Sequence, residues 1–246
     1  MSLSQNIPKA LITGSSRGIG LEIAKRLHAL GYEVILVARD KERLQKIEES
    51  LKNRILTYAI DLSCDKNSKE FLDFLDFVIK NLPSVVIHNV GGRLECDSQP
   101  LDYESLMKSI DLNLGVAVSI NHKILPFLKP KSHLLFISSD SALTGNGAPG
   151  YVASKAALNA YIKSTARFYA KNEIIINGIM PGIVEFSGSV WYKKKELESE
   201  KYNKAKEAQP LGRFGTLEEI SSFVEKLINE NNMLTTGEIF LLNGGA

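Results

Sequence analysis

The sequence predicts an α/β fold in three layers, a doubly wound, seven-stranded parallel sheet with helices on both faces. Three observations predict it. Seven short runs rich in Ile, Val and Leu are spread over the 246 residues, with little of the apolar–polar alternation of a half-exposed strand, as expected for strands buried on both sides. Amphipathic helical stretches separate these runs, and strand–helix alternation folds by right-handed parallel crossovers. The first run leads straight into a glycine-rich turn and a helix.

In order, a strand at residues 10–13 precedes a helix at 19–30, which Gly31 stops. A second strand at 33–38 is followed by Asp40, a good N-cap for a helix at 41–52. The third strand spans 54–60, and the next helix, 68–81, stops before Pro83. A fourth strand at 84–89 leads to one long helical pattern at 101–128, with Pro126 near its end. A fifth strand at 133–138, a helix at 151–171, a sixth strand at 174–179, a helix at 216–229 and a seventh strand at 238–242 complete the series. Residues 185–209 break the rhythm. They are rich in Lys and Glu, carry Trp191, Tyr192 and Tyr202, and stand at the carboxyl end of the sixth strand, a place suited to a lid. Without repeats, low-complexity tracts or a linker, residues 1–246 read as one domain.

Composition narrows the function. A formal charge of +2 gives no electrostatic footprint for nucleic acid. Apolar residues at 44% and charged residues at 24% are ordinary for a soluble globular chain. Two cysteines, Cys64 and Cys96, suggest neither a disulfide framework nor a metal site, and a reducing, cytoplasmic setting fits. Residues 1–10 are polar, without a signal-peptide core, and no run is long and apolar enough to predict a membrane span.

The turn after the first strand reads Thr13-Gly14-Ser15-Ser16-Arg17-Gly18-Ile19-Gly20. Glycines there allow a tight turn and close approach of a pyrophosphate, which the following helix N-terminus attracts through free N–H groups and its dipole. This is the Rossmann arrangement, and it makes Gly14, Ser16, Arg17, Gly18, Ile19 and Gly20 candidate dinucleotide contacts. The same residues also fit the G-x-S-x-G elbow of hydrolases, with Ser16 as nucleophile. Against that, an elbow normally follows several strands and its histidine comes late, whereas here the last histidine is His133. At the end of the second strand, Ala38 stands where NAD-binding folds place an acid, and Arg39 follows. A guanidinium suits a 2′-phosphate, so NADP(H) is the expected cofactor, with Arg17 able to assist. Asp40 is the competing ribose ligand, read here as the helix cap, and a solvated surface charge is the plain alternative for Arg39.

Tyr151 and Lys155 stand four apart on a predicted helix and so share a face. A tyrosine acts as an acid near neutral pH when a nearby ammonium stabilises its phenolate. Upstream, the fifth strand ends in Ser138-Ser139, which puts a hydroxyl at the sheet's carboxyl edge. Asn113 falls inside the long helical pattern, where Asn is unfavourable, which points to a polar role or a bend.

With these pieces in hand, the chain resembles the classical short-chain dehydrogenases/reductases over essentially its whole length, and is similar to their 3-oxoacyl-[acyl-carrier-protein] reductase-like members. The pieces in order are the 13–20 loop, Asp61-Leu62, Asn89-Val90-Gly91, Asn113, Ser138-Ser139, Tyr151-x-x-x-Lys155, Pro181-Gly182, Thr236-Gly237 and Asn243-Gly244-Gly245. The resemblance implies that Tyr151 exchanges a proton with the carbonyl oxygen and that Ser139 hydrogen-bonds the same oxygen. Lys155 would hold the nicotinamide ribose and lower the Tyr151 pKa, and Asn113 would anchor a relay water. It implies adenine contacts from Asp61 and Leu62, a crevice lined by Asn89 and Gly91, and nicotinamide contacts from Pro181, Gly182 and Ile183. The chain departs from the family pattern at His88, Val90, Ala142 and Phe186, the last where a threonine is usual, with Ser187 adjacent. The interval from Ser139 to Tyr151 is one residue short. Counting back from Tyr151 selects Ser138, and counting from the strand end selects Ser139, which is preferred.

The expected partner is a small carbonyl or alcohol substrate, with pocket walls from residues 93–95, 141–149 and the lid. A 3-oxoacyl thioester and a sugar or polyol carbonyl are the two classes, and Lys193-Lys194-Lys195 is either a lure for an acidic carrier or a solvated face. The resemblance also implies a homotetramer (or dimer) built on helices 101–128 and 151–171 and the C-terminus. A non-catalytic NADP-binding scaffold is the alternative from outside enzymology, set against the presence of Asn113, Ser139, Tyr151 and Lys155.

Overall fold

A computed structural model describes residues 7–228 and 234–246. The polar stretch at the start of the chain therefore lies largely outside the described residues, as does Asn229 at the predicted end of the last helix. The described residues form one seven-stranded sheet in the order β3-β2-β1-β4-β5-β6-β7, parallel throughout, so the predicted fold class is found. The strands are β1 (Lys9–Thr13), β2 (Glu33–Ala38), β3 (Ile55–Ala59), β4 (Val85–His88), β5 (His133–Ile137), β6 (Ile175–Pro181) and β7 (Ile239–Leu242).

Alternate side chains of each strand feed two cores. Leu11, Ile35, Val86, Phe136 and Ile176 face one side. Ala10, Ile12, Leu36, Ile87 and Ile179 face the other. With both sides apolar, the period of two disappears from the hydropathy pattern, which is why these strands read as unbroken apolar runs. The first side is covered by α3 (Lys69–Lys80), α5 (Val116–Ile124) and α7 (Pro149–Tyr169), through Phe71, Phe74, Ile120, Leu158 and Ile162. The second is covered by α1 (Gly18–Ala29), α2 (Lys41–Leu51) and α10 (Leu217–Leu227), through Ile23, Leu27, Leu44, Ile220 and Val224. Fully burying one such side chain is worth about 1.5–3 kcal/mol, so the two faces dominate the favourable side of folding.

The caps follow the sequence. Asp40 accepts from the Arg43 N–H at 3.0 Å, and Thr216 and Glu219 make a capping box at α10. The long pattern at 101–128 is corrected. It is α4 (Tyr103–Ile110), a π-helical turn at Asp111–Gly115, then α5 and a short 3₁₀ turn at Leu125–Phe127 around Pro126. Residues 185–209 hold two short helices, α8 (Val190–Leu197) and α9 (Ser199–Glu207), and α6 (Ser141–Thr144) sits just after β5. The strand order reverses between β1 and β4, so the crevice at their carboxyl ends is where such a sheet places its ligand.

Candidate active site

The glycine loop is tied down on both flanks. Ser15 is fully buried, and its Oγ accepts from the Val37 N–H at 2.9 Å. Thr13 Oγ1 accepts from the N–H groups of Asn89 (3.0 Å) and Val90 (3.2 Å). The Asn89 amide donates to the carbonyls of Thr13 and Gly14, both at 3.0 Å. Both donors of Asn89 are thus spent on the loop, so it shapes the crevice by clamping its floor. Gly20 must lack a side chain, because a Cβ there would lie 2.6 Å from both the Gly14 oxygen and the Asn89 amide nitrogen. No side chain caps α1, which leaves the first-turn N–H groups, around Gly18, Ile19 and Gly20, for a ligand. Ser16 and the exposed Arg17 lie on the same loop. His28 bonds the Asn53 carbonyl and His88 the Asn121 amide, so neither serves Ser16 as a hydrolase would require.

At the ends of β2 and β3, Arg39 and Asp61 form an exposed ion pair at 3.5 Å. Burial pushes the Asp61 carboxyl up, but hydrogen bonds from Ser63, aided by Arg39, outweigh it and hold the pKa below the usual range. Arg39 is left largely in solvent, within reach of an anion at the crevice rim. Leu62 does not join them. Its side chain is 3% exposed and belongs to the core.

The catalytic candidates come together from three elements, α7, the end of β5 and the π-turn. Tyr151 lies in the first turn of α7, and Lys155 Nζ sits 5.8 Å from its ring centroid. The lysine is buried and donates to the Ile137 carbonyl at 2.7 Å. Burial draws its pKa down to about 8. Burial pushes the Tyr151 phenol up, the Ser139 hydroxyl pulls it down, and the Asp140 charge pushes it up again. The phenol is thereby held in its protonated, donating form. Of the two serines, Ser138 donates to Asn159 at 2.7 Å, in the body of α7, while Ser139 is the one that acts on the phenol.

Asn113 sits in the π-turn, 2% exposed. Its amide donates to the carbonyls of Gly92 (3.1 Å) and Ser109 (3.0 Å), and its oxygen accepts from the Gly92 N–H at 2.8 Å. The side chain therefore fastens the loop after β4 to the helix and has no donor left for a relay water. Gly91 lies between the two candidates, since a Cβ there would stand 2.6 Å from the Asn113 oxygen and 3.0 Å from Lys155 Nζ. Pro181 ends β6, Gly182 donates to the Leu242 carbonyl at 3.0 Å, and Ile183 accepts from the Gly215 N–H at 2.9 Å. This trio stands at the carboxyl end of β6. Phe186 has its ring against Gly18, 2.6 Å from where a Cβ would stand, and so bridges the base of residues 185–209 to the glycine loop.

Two residues were not found from sequence. Asp97 is fully buried and accepts from the N–H groups of Gly150 (2.8 Å) and Tyr151 (2.7 Å), capping α7 from a distant loop. Asp140 follows Ser139, with its Oδ1 accepting from the Ser139 hydroxyl at 3.4 Å. Both are single acids in loops, and the only signal for Asp140 was its place beside Ser139.

A family model described as enoyl-(acyl carrier protein) reductase matches residues 14–246. The 3-oxoacyl-[acyl-carrier-protein] reductase FabG of Aquifex aeolicus (strain VF5) is 31% identical over 245 residues, covering 96% of each chain. L-sorbose reductase of Gluconobacter frateurii, solved with NADPH and L-sorbose, superposes with a TM-score of 0.86 at 26% identity, covering 100% of this chain and 98% of that one. A 3-oxoacyl (acyl-carrier-protein) reductase of Agrobacterium tumefaciens C58 with NADP bound gives 0.85 at 25% identity, over 97% and 94%. The similarity runs the length of the sheet and through every segment that builds the crevice, and the chain belongs to the short-chain dehydrogenase/reductase family of oxidoreductases, among its 3-oxoacyl reductase-like members.

Proposed function

We propose that the protein is an NADP(H)-dependent oxidoreductase that moves a hydride between nicotinamide and the carbon of a carbonyl or alcohol. The observation that carries this is the gathering of Ser139, Tyr151 and Lys155 at the carboxyl edge of the sheet, beside an uncapped helix N-terminus and its glycine loop. The loop fits a dinucleotide's diphosphate, since Gly20 keeps the turn tight and the open N–H groups of α1 face an anion. Arg39 fits a 2′-phosphate at the rim, and the similar proteins solved with NADPH or NADP support the same choice. When bound, the dinucleotide supplies the hydride. Tyr151 gives its proton to the carbonyl oxygen, Ser139 hydrogen-bonds that oxygen, and Lys155 holds the ribose. Asn113 fixes the Gly91-Gly92 turn, which lies against Lys155.

Two substrate classes stand beside this reading. A 3-oxoacyl thioester is supported by the Aquifex relative, and a polyhydroxylated carbonyl by the likeness to L-sorbose reductase and by the acid at Asp140. Residues 185–209 form the lid of a single domain, with α8 and α9 behind Phe186. Exposed Tyr103 and Met107 on α4 and Phe168 on α7 support a homotetramer. The free thiols of Cys64 and Cys96 suit a cytoplasmic setting. Among the described residues no helix is long and apolar enough to cross a membrane.

The test is a titration with NADPH and NADH followed through the single tryptophan, Trp191. Tight NADPH binding with weak NADH binding is the expected result. Binding of neither by folded protein overturns the reading.

A further inference from the structure

Asp140 opens α6, the place where an aspartate ordinarily caps a helix. Here its side chain makes no cap bond, and there is nothing left to cap. The Ser141 N–H is taken by the Ser139 hydroxyl at 3.2 Å and the Ala142 N–H by the Ser139 carbonyl at 3.1 Å. The N–H groups of Leu143 and Thr144 go to the Asp140 carbonyl at 2.9 and 3.0 Å. The carboxyl group instead occupies the wall between the reacting groups and the end of β6. Oδ1 is 3.4 Å from the Ser139 hydroxyl, Oδ2 is 3.2 Å from where a Cβ on Gly182 would stand, and its charge is felt at the Tyr151 phenol. Among the described residues no Lys, Arg or His forms an ion pair with it. Burial pushes its pKa up, against hydrogen bonds from the Ser139 hydroxyl and neighbouring backbone N–H groups that pull it down.

A carboxylate with no cationic partner beside a reaction centre discriminates among substrates. A 3-oxoacyl thioester has only alkyl carbon on both sides of its keto carbon, with the thioester carbonyl one carbon further away, which offers Asp140 no donor. A carbonyl flanked by hydroxyl groups offers donors at that position. We propose that Asp140 determines substrate specificity by accepting a hydrogen bond from a hydroxyl on the carbon next to the reacting carbonyl, so that the site selects hydroxyketones, of the ketose type, over 3-oxoacyl thioesters. This rests on the NADP(H)-dependent reductase reading above.

The test compares matched substrates. Hydroxyacetone and 2-butanone differ by a hydroxyl in place of a methyl group, and L-sorbose and the acetoacetyl thioester of N-acetylcysteamine represent the two classes. NADPH consumption gives kcat/KM for each, in wild type, Asp140→Ala and Asp140→Asn. Wild type is expected to favour hydroxyacetone over 2-butanone, and L-sorbose over the thioester, by about 10- to 100-fold, the range of one hydrogen bond to a charged group. Asp140→Ala is expected to bring both ratios near one, with Asp140→Asn between. General damage to the site lowers both members of a pair and leaves their ratio unchanged, so the ratio reads Asp140 alone. If Asp140→Ala does not fold, Asp140→Asn carries the comparison. Ratios near one in wild type, or ratios unmoved by either substitution, overturn the proposal while NADPH-dependent turnover upholds the reductase reading. Failure of wild type to bind NADPH overturns both.

Discussion

Replacing Asp97 with alanine tests whether the catalytic helix is held from outside its own segment. The Asp97 carboxyl group is fully buried and serves two N–H groups of the first turn of α7, at 2.8 and 2.7 Å. Ala148, at the N-cap, makes no side-chain cap bond of its own. Hydrogen bonds to a charged acceptor contribute about 1.5–3 kcal/mol each. Removing both strands two donors where water has little access, and relief of the buried acid offsets part of the loss. A net destabilisation of about 2–4 kcal/mol follows, above the roughly 1 kcal/mol of an ordinary exposed cap. For a chain of this size that lowers Tm by about 5–15 °C. One of the two N–H groups belongs to Tyr151, so the phenol shifts as well, and displacement of a reacting group by about 1 Å costs on the order of 100-fold in rate. The assays are thermal unfolding, and kcat for hydroxyacetone or L-sorbose reduction well below the new Tm. The expected result is loss of both stability and kcat, with NADPH affinity nearly unchanged. Asp97→Asn, which keeps one acceptor, should recover part of each. An unchanged Tm would refute the capping role, and a lowered Tm with full kcat would show a cap that does nothing for Tyr151.

Tyr151→Phe should reduce turnover by at least about 1,000-fold while NADPH affinity stays within a few-fold; retained turnover removes the tyrosine from acid–base chemistry. Arg39→Ala should weaken NADPH binding by about 10- to 100-fold and NADH binding little, and equal effects would contradict the 2′-phosphate assignment. His88 is buried, with its pKa pushed down from 6.5 to about 4 by desolvation against a hydrogen bond to Asn121. The unfolded chain therefore takes up the proton first, and stability from this group, complete above pH 6.5, is lost as pH falls toward 4, by about 2 kcal/mol between pH 7 and 5. His88→Asn should flatten that part of the profile in denaturant titrations at the two pH values, and an unaltered slope would place the acid sensitivity elsewhere.

The parts legible in the sequence are those with local causes. Strands such as Val34–Val37 announce themselves because both of their faces are apolar, and Asp40 because a cap acts within three residues. Tyr151 and Lys155 share a helix face whatever surrounds them. Asn113 drew notice as a poor helix residue, but a π-turn leaves no mark on apolar periodicity, so the pattern at 101–128 read as one helix. Asp97 was out of reach because its partners lie 53 and 54 residues away. Asp140 carried no signal of its own beyond standing next to Ser139, because the contacts that place its carboxyl group beside the phenol and β6 come from the folded chain.

The π-turn in the helix that carries Asn113 separates two demands made on one rod. Ser105, Ser109 and Asn113 are buried at steps of four, and each such step advances about 40° around a regular α-helix. Left uncorrected, that drift would carry the later part of the helix off the sheet. The wider turn at Asp111–Gly115 absorbs the surplus, so Ile120 and Ile124 still meet the core. The helix thus works like a shaft with a flexible coupling. Its first half is indexed to the loop that shapes the reaction site and its second half to the sheet, and sequence change in one half is free to accumulate without retiming the other.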